Sequence, residues 1–219
     1  MIQEADGLRW TTEGIDSYLA YANHEPGLME HLQIDPDGCF IDIGSHVGRY
    51  AIRMSKKCKK VIAIEPVDET VQLLYRNLEL NGIKNVNVYS YAITNFIGER
   101  VQLYTTNQPG HTSINRQNDN SVVKTYAGRT LDSILEKYIE EPNLYFTEFL
   151  IKVDVEGAEL GVLKSAEDII KHLKPTWVIE VHQNPGVESV TNFLLEKGYA
   201  VREIMRYNPC IYLKAEWGR

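Results

Sequence analysis

Short apolar runs alternate with helical patterns along most of this chain, and that alternation leaves few folds open. The runs are CFIDI (39–43), KVIAIEP (60–66), VNVYSYAI (86–93), FLIKVDV (149–155) and TWVIEVH (176–182). Between them, apolar residues recur at helical spacing. Helices are predicted at YAIRMSKK (50–57), DETVQLLYRNLELNG (68–82), TLDSILEKYI (130–139), EGAELGVLKSAEDIIKHL (156–173) and VESVTNFLLEKG (187–198). Val71, Leu74 and Leu78 share one face of the second, which stops at Asn81-Gly82. Thr130 or Asp132 caps the third. AVREIMR (200–206) and CIYLKAE (210–216) read as a closing strand pair, near enough in sequence for a hairpin. Strands that alternate with helices form a parallel sheet covered on both faces, and the hairpin would add one antiparallel strand.

With 219 residues and no internal repeat, one domain is expected, with residues 1–37 as an N-terminal extension or lid and 38–219 as the core. Residues 95–128 are less regular and hold a polar loop at 107–121. The net charge of −7 disfavours a broad nucleic-acid-binding surface. Cys39, Cys58 and Cys210 are scattered, odd in number and lack CxxC pairing, so they suggest neither a disulfide framework nor a zinc site. No apolar run reaches the ~20 residues of a membrane helix. MIQEADGLRW lacks the basic and apolar regions of a secretory signal, so a cytoplasmic location is expected.

In an open doubly wound sheet, ligands bind outside the carboxyl ends of the strands. Asp42, Glu65, Asp154 and Glu180 all fall at or near such ends. Gly44 and Gly48 punctuate the turn after the first strand in FIDIGSHVGRYAI, where they would let backbone approach a ligand, or serve the turn alone. Glu65, followed by Pro66, can accept bonds from both hydroxyls of a ribose, or cap the next helix. Two cofactor classes compete at this point. A dinucleotide wants G-x-G-x-x-G, but this chain reads Gly44-Ser45-His46, with a histidine where the pyrophosphate needs glycine. Asp42 would also repel phosphate and receive an amino group. S-adenosylmethionine, which has an amino group, a sulfonium and a ribose but no phosphate, fits better.

FIDIGSHVGRYAI, IAIEP, GRTLDSIL and above all IKVDVEGAELGVLKSA resemble the FkbM-type S-adenosylmethionine-dependent methyltransferases, over most of the chain. The resemblance implies an α/β, three-layer, doubly wound, Rossmann-like class I fold. Its seven strands run in the order 3-2-1-4-5-7-6, with the seventh antiparallel. It matches Asp42, Gly44 and Gly48 to the cofactor loop, Glu65 to the ribose acid and Ala92 to the adenine; Ser45, His46 and Pro66, beside them in the sequence, are expected to touch the cofactor as well. Tyr91 and His46 depart from the residues usual at their positions. The resemblance also implies O-methylation.

Sulfonium activates the methyl group, so positioning the acceptor in line supplies much of the rate, while an alcohol acceptor must also lose a proton. His182 is the leading base, delivered to the fifth strand's end. Asp154 is expected to face the methyl donor or acceptor, and Glu180 shares a face with His182 by strand periodicity. Asp154, Glu180 and His182 could also gather a divalent ion, although their spacing does not call for one. Glu156, His111 and Ser113 are candidate acceptor contacts, with Thr112 beside them. The expected acceptor is a small molecule, sugar or glycan. Methylation of RNA, a nicotinamide oxidoreductase and a non-catalytic module remain as alternatives. The sequence gives no oligomeric state.

Overall fold

The computed structural model describes residues 1–13, 20, 24–98, 100–105, 112–113, 122–140, 145–182, 186–207 and 209–218. It opens with a hairpin, β1 (Ile2–Ala5) and β2 (Leu8–Thr11), and a short helix α1 (Leu28–His31). The first half of the core follows as β3 (Cys39–Ile43), α2 (Arg49–Met54), β4 (Lys60–Ile64), α3 (Asp68–Leu80) and β5 (Val86–Tyr89). A second, smaller sheet comes from β6 (Ala92–Ile93), β7 (Arg100–Thr105), β8 (Thr112–Ser113) and β9 (Val122–Arg129). The chain then returns through α4 (Leu131–Glu140), β10 (Phe149–Val153), α5 (Glu159–Lys164), α6 (Glu167–His172), β11 (Thr176–Val181), α7 (Val187–Glu196), β12 (Tyr199–Tyr207) and β13 (Cys210–Trp217).

The central sheet has seven strands in the order β12-β13-β11-β10-β3-β4-β5. Ranked along the chain and read from the β5 edge, this is the expected 3-2-1-4-5-7-6. The pairs among β11, β10, β3, β4 and β5 are parallel, while β13 runs antiparallel to both its neighbours. This is the sheet that the resemblance implies.

Strand alternation splits the core in two. Ile41, Ile43, Ile62, Ile64, Ile151 and Trp177 face α4 to α7. Phe40, Val61, Ala63, Leu150 and Val178 face α2, α3 and the N-terminal hairpin. Asp42 and Lys152, directly opposite one another on β3 and β10, are polar side chains sealed at 0 and 2% exposure.

Three elements differ from the sequence reading. The third strand is broken at Ser90-Tyr91: β5 stays in the central sheet, while β6 leaves it to pair with β9. The long helix predicted over 156–173 is two. Asp132 of α4 accepts bonds from the amides of Asp168 (3.1 Å) and Ile169 (3.0 Å), capping α6 from another helix. Thr130 caps α4 itself, accepting from the Ser133 amide at 3.2 Å. The irregular stretch 95–128 supplies strands of the second sheet.

Candidate functional site

One cavity of about 1170 Å³, counting its open mouth, lies at the carboxyl ends of β3, β4, β10 and β11.

Its first end is built around Glu65. Glu65 is 6% exposed. Its Oε2 accepts from the His46 amide and its Oε1 from the Val67 amide, both at 3.0 Å. Each oxygen keeps a further lone pair for a hydroxyl. Burial first of all pushes this carboxyl up, against the pull of His46 and the two amides. Pro66, Tyr91, Ala92, Ile93, Val101 and Leu103 form an apolar wall beside it. The break after β5 is what carries Tyr91 to this wall, and β7 supplies Val101 and Leu103. No residue of β7 stood out in the sequence; its alternation in an uneven stretch was the only available signal.

Between the ends lies the first turn. Gly44 has φ 78°, and a Cβ there would stand 1.8 Å from the Asp154 carbonyl oxygen, so the two strand ends meet through a missing side chain. Ser45 lines the cavity, 3% exposed, with an Oγ that has no hydrogen-bond partner among the described residues. His46 lines it too, at φ 51°. Asp42 and Gly48 do not. Asp42 lies beneath the floor, where Oδ2 accepts from the Ala51 amide at 2.9 Å and burial pushes the carboxyl up to about 7. Gly48 makes room for α3, since its Cβ would stand 2.4 Å from Leu74 Cδ1.

The other end is strongly charged. Glu25, Asp154, Glu156 and Glu180 line it, with Lys152, Arg49 and His24. Glu25 was not singled out in the sequence. Its partners lie far along the chain: Tyr50 donates to Oε2 and Tyr212 to Oε1, each at 2.7 Å. Lys152 Nζ is 3.1 Å from Asp154 Oδ2. Burial opposes charge on both, yet Asp154, Asp42 and Glu25 hold the lysine up, and Lys152 and His182 hold Asp154 down. Burial, then Asp154 and Glu25, push Glu180 well above the usual carboxylate range.

His182 sits just behind this wall and does not line the cavity. Its Nδ1 is 2.6 Å from Oε1 of Glu159, a wholly buried carboxylate that also accepts from the Gly157 amide at 2.9 Å. Its Nε2 faces Glu156 Oε2 at 3.3 Å and Glu180 Oε1 at 3.8 Å. Burial of the ring opposes protonation, but hydrogen bonds with Cys210 and Glu159 and the charges of Glu156 and Asp154 prevail, holding it up at about 12. Glu156, at φ 52°, is pushed up to about 7 by burial and by Asp154. Asp154, Glu156 and His182 bring ligand atoms within 4.8 Å of one another, as do Glu25, Asp154 and Glu180. Ser113 belongs to β8. Its side chain, and the whole of His111, lie outside the described residues.

A seven-stranded sheet of this order, with an acid just past the end of its second strand and a charged end across the same cavity, belongs to a class I methyltransferase of the S-adenosylmethionine-dependent kind. The family description "Methyltransferase FkbM domain" matches residues 42–201, and the chain belongs to that family. It is 26% identical over 185 residues to Methyltransferase 1 of Beauveria bassiana, covering 76% of this chain and 74% of that one. Among solved structures, the FkbM methyltransferase of Methylobacillus flagellatus superposes with a TM-score of 0.59 at 21% identity. That match covers 84% of this chain and 44% of the other, so this chain spans less than half of that protein. A Streptococcus mutans structure in complex with SAH gives a TM-score of 0.54 at 16% identity, covering 88% and 98%. Among the described residues, no helix is long and apolar enough to cross a membrane.

Proposed function

We propose that the chain O-methylates a hydroxyl of a small molecule or sugar, with S-adenosylmethionine bound across the turn at Gly44. The observation that carries this reading is the single cavity joining the Glu65 end to the Asp154, Glu156 and Glu180 end. The residues present fit the cofactor: the unpartnered Ser45 Oγ offers a bond, and the bare Gly44 lets backbone come close. Glu65 would hold the ribose, and Pro66, Tyr91, Ala92 and Ile93 the adenine. S-adenosylmethionine supplies a methyl group already activated on sulfur. The chain's own part is to orient the acceptor, exclude water and receive a proton. His24 and Glu25 of the N-terminal extension wall the acceptor end, which suits an extension that acts as a lid. An RNA acceptor would bring its phosphates against Glu25, Glu156 and Glu180.

Lys152, His182 and Arg49 bring positive charge among these carboxylates, so the reading calls for no divalent ion. Tritiated-methyl cofactor offered with methyl glucoside, glucosamine, catechol and glycerol, with and without EDTA, tests the reading. Label should enter at least one hydroxyl compound, and EDTA should leave the rate within two-fold. Calorimetry adds a check independent of the acceptor. Glu65→Ala should weaken S-adenosylhomocysteine binding by about 100-fold, two charge-assisted bonds' worth. Unchanged affinity with native circular dichroism would remove Glu65 from the site.

A further inference from the structure

The expectation that His182 is the base meets a geometric obstacle. A base must present a lone pair to the acceptor, and both ring nitrogens of His182 face carboxylate oxygens. Nδ1 is held by the buried Glu159, and Nε2 points at Glu156 and Glu180, with Cys210 of β13 packed against the same ring. Such a ring is a donor at both ends. It also stands behind the cavity wall, which Glu156 and Glu180 form and it does not. We propose that Glu156 takes the acceptor's proton, while His182 stays an imidazolium, pinned by Glu159 as its positioning residue.

This rests on the O-methyltransfer reading. The acceptor oxygen bonds to the methyl carbon as the sulfur–carbon bond breaks, its electron pair returning to sulfur. The hydroxyl proton passes to a Glu156 oxygen and leaves by the open mouth of the cavity. Glu156 is the better placed of the two lining acids beside His182. It opens the turn after β10, at positive φ, and is more than twice as exposed as Glu180, with side-chain exposures of 27 and 12%. The groups facing it are Asp154 from the end of β10, His182 from the end of β11 and Glu159 from α5. Two of the three are acids that favour its protonation, and the imidazolium limits how far they do so. The carboxylate is thereby poised to exchange a proton near neutral pH.

Nitrogen-15 NMR of the protein with S-adenosylhomocysteine reads the histidine without any acceptor. Both ring nitrogens of His182 should carry protons from pH 6 to 9, and Glu159→Gln should bring its titration into that window. A neutral ring at pH 8 in the wild type overturns the proposal. Turnover, measured on whichever compound of the hydroxyl panel takes label, reads Glu156. Glu156→Gln should lower kcat by 100-fold or more, within the range of a lost general base, and erase the acidic limb of the pH profile. His182→Gln should keep that limb and move it to higher pH. The reverse pattern, with the limb lost in His182→Gln and kept in Glu156→Gln, assigns the base to the histidine. If no compound takes label, the functional reading is what fails, and the NMR result still decides the state of His182.

Discussion

Gly44 is the residue with the least freedom in the site. Any side chain there would overlap the Asp154 carbonyl, which is backbone and cannot swing aside. Gly44→Ala should cost about 3 kcal/mol or more in urea unfolding, through the overlap and the left-handed backbone together. A loss under 1 kcal/mol would show that the two strand ends can part. The acids at the strand ends were legible in the sequence because a charge closing an apolar strand is conspicuous at a period of two. The surroundings of His182 were not. Glu156 and Glu159 reach its two nitrogens only because the chain turns through positive φ at Glu156 and Gly157. Glu25 was equally hidden: one of its tyrosine partners is 187 positions away. Asp42 was legible as a buried acid but not as one turned under the floor.

Hairpin, helix and turn are tied at the element scale by α3. Asn77 accepts from the Thr11 amide at 2.8 Å and donates to the Val47 carbonyl at 2.9 Å, while Asn81 bonds the Arg9 backbone on both its amide and carbonyl. Thr11 is wholly buried, so Asn77→Ala would leave its amide without a partner. A loss of about 2 kcal/mol is expected, with faster hydrogen exchange at Thr11, since an orphaned buried donor costs its desolvation. Unchanged exchange at Thr11 would mean that the Asn77 bond does not hold this end of the hairpin. Strands and their order were readable because each hydrophobic run is bounded by turn residues. The division between α5 and α6 was not, because the group that caps α6 belongs to α4 and no local pattern announces it.

Protonation gives the whole molecule a directional response to pH. His182 is held at about 12, far above its ordinary value, so it stabilises the fold fully below about pH 6.5 and loses that contribution as pH rises toward 12. Asp42 and Glu156, both raised to about 7, lose theirs between their ordinary carboxylate values and about 7. All three act in one direction, since folding takes up protons. The urea midpoint of the ligand-free protein should therefore fall from pH 6 to pH 9, by up to about 1.4 kcal/mol per pH unit for each proton taken up. His182→Gln should flatten the fall above pH 7, and a midpoint that climbs with pH would contradict these environments. The second sheet has a different consequence. Val101 and Leu103 reach the cavity from strands outside the central sheet, whereas Asp154, Glu156 and Glu180 come from its strand ends. The two ends of the cavity thus answer to separate architectures. On the proposed reading, insertions between β6 and β9 would reshape the wall assigned to the adenine, and so which cofactor analogues are admitted, without disturbing the acids at the other end.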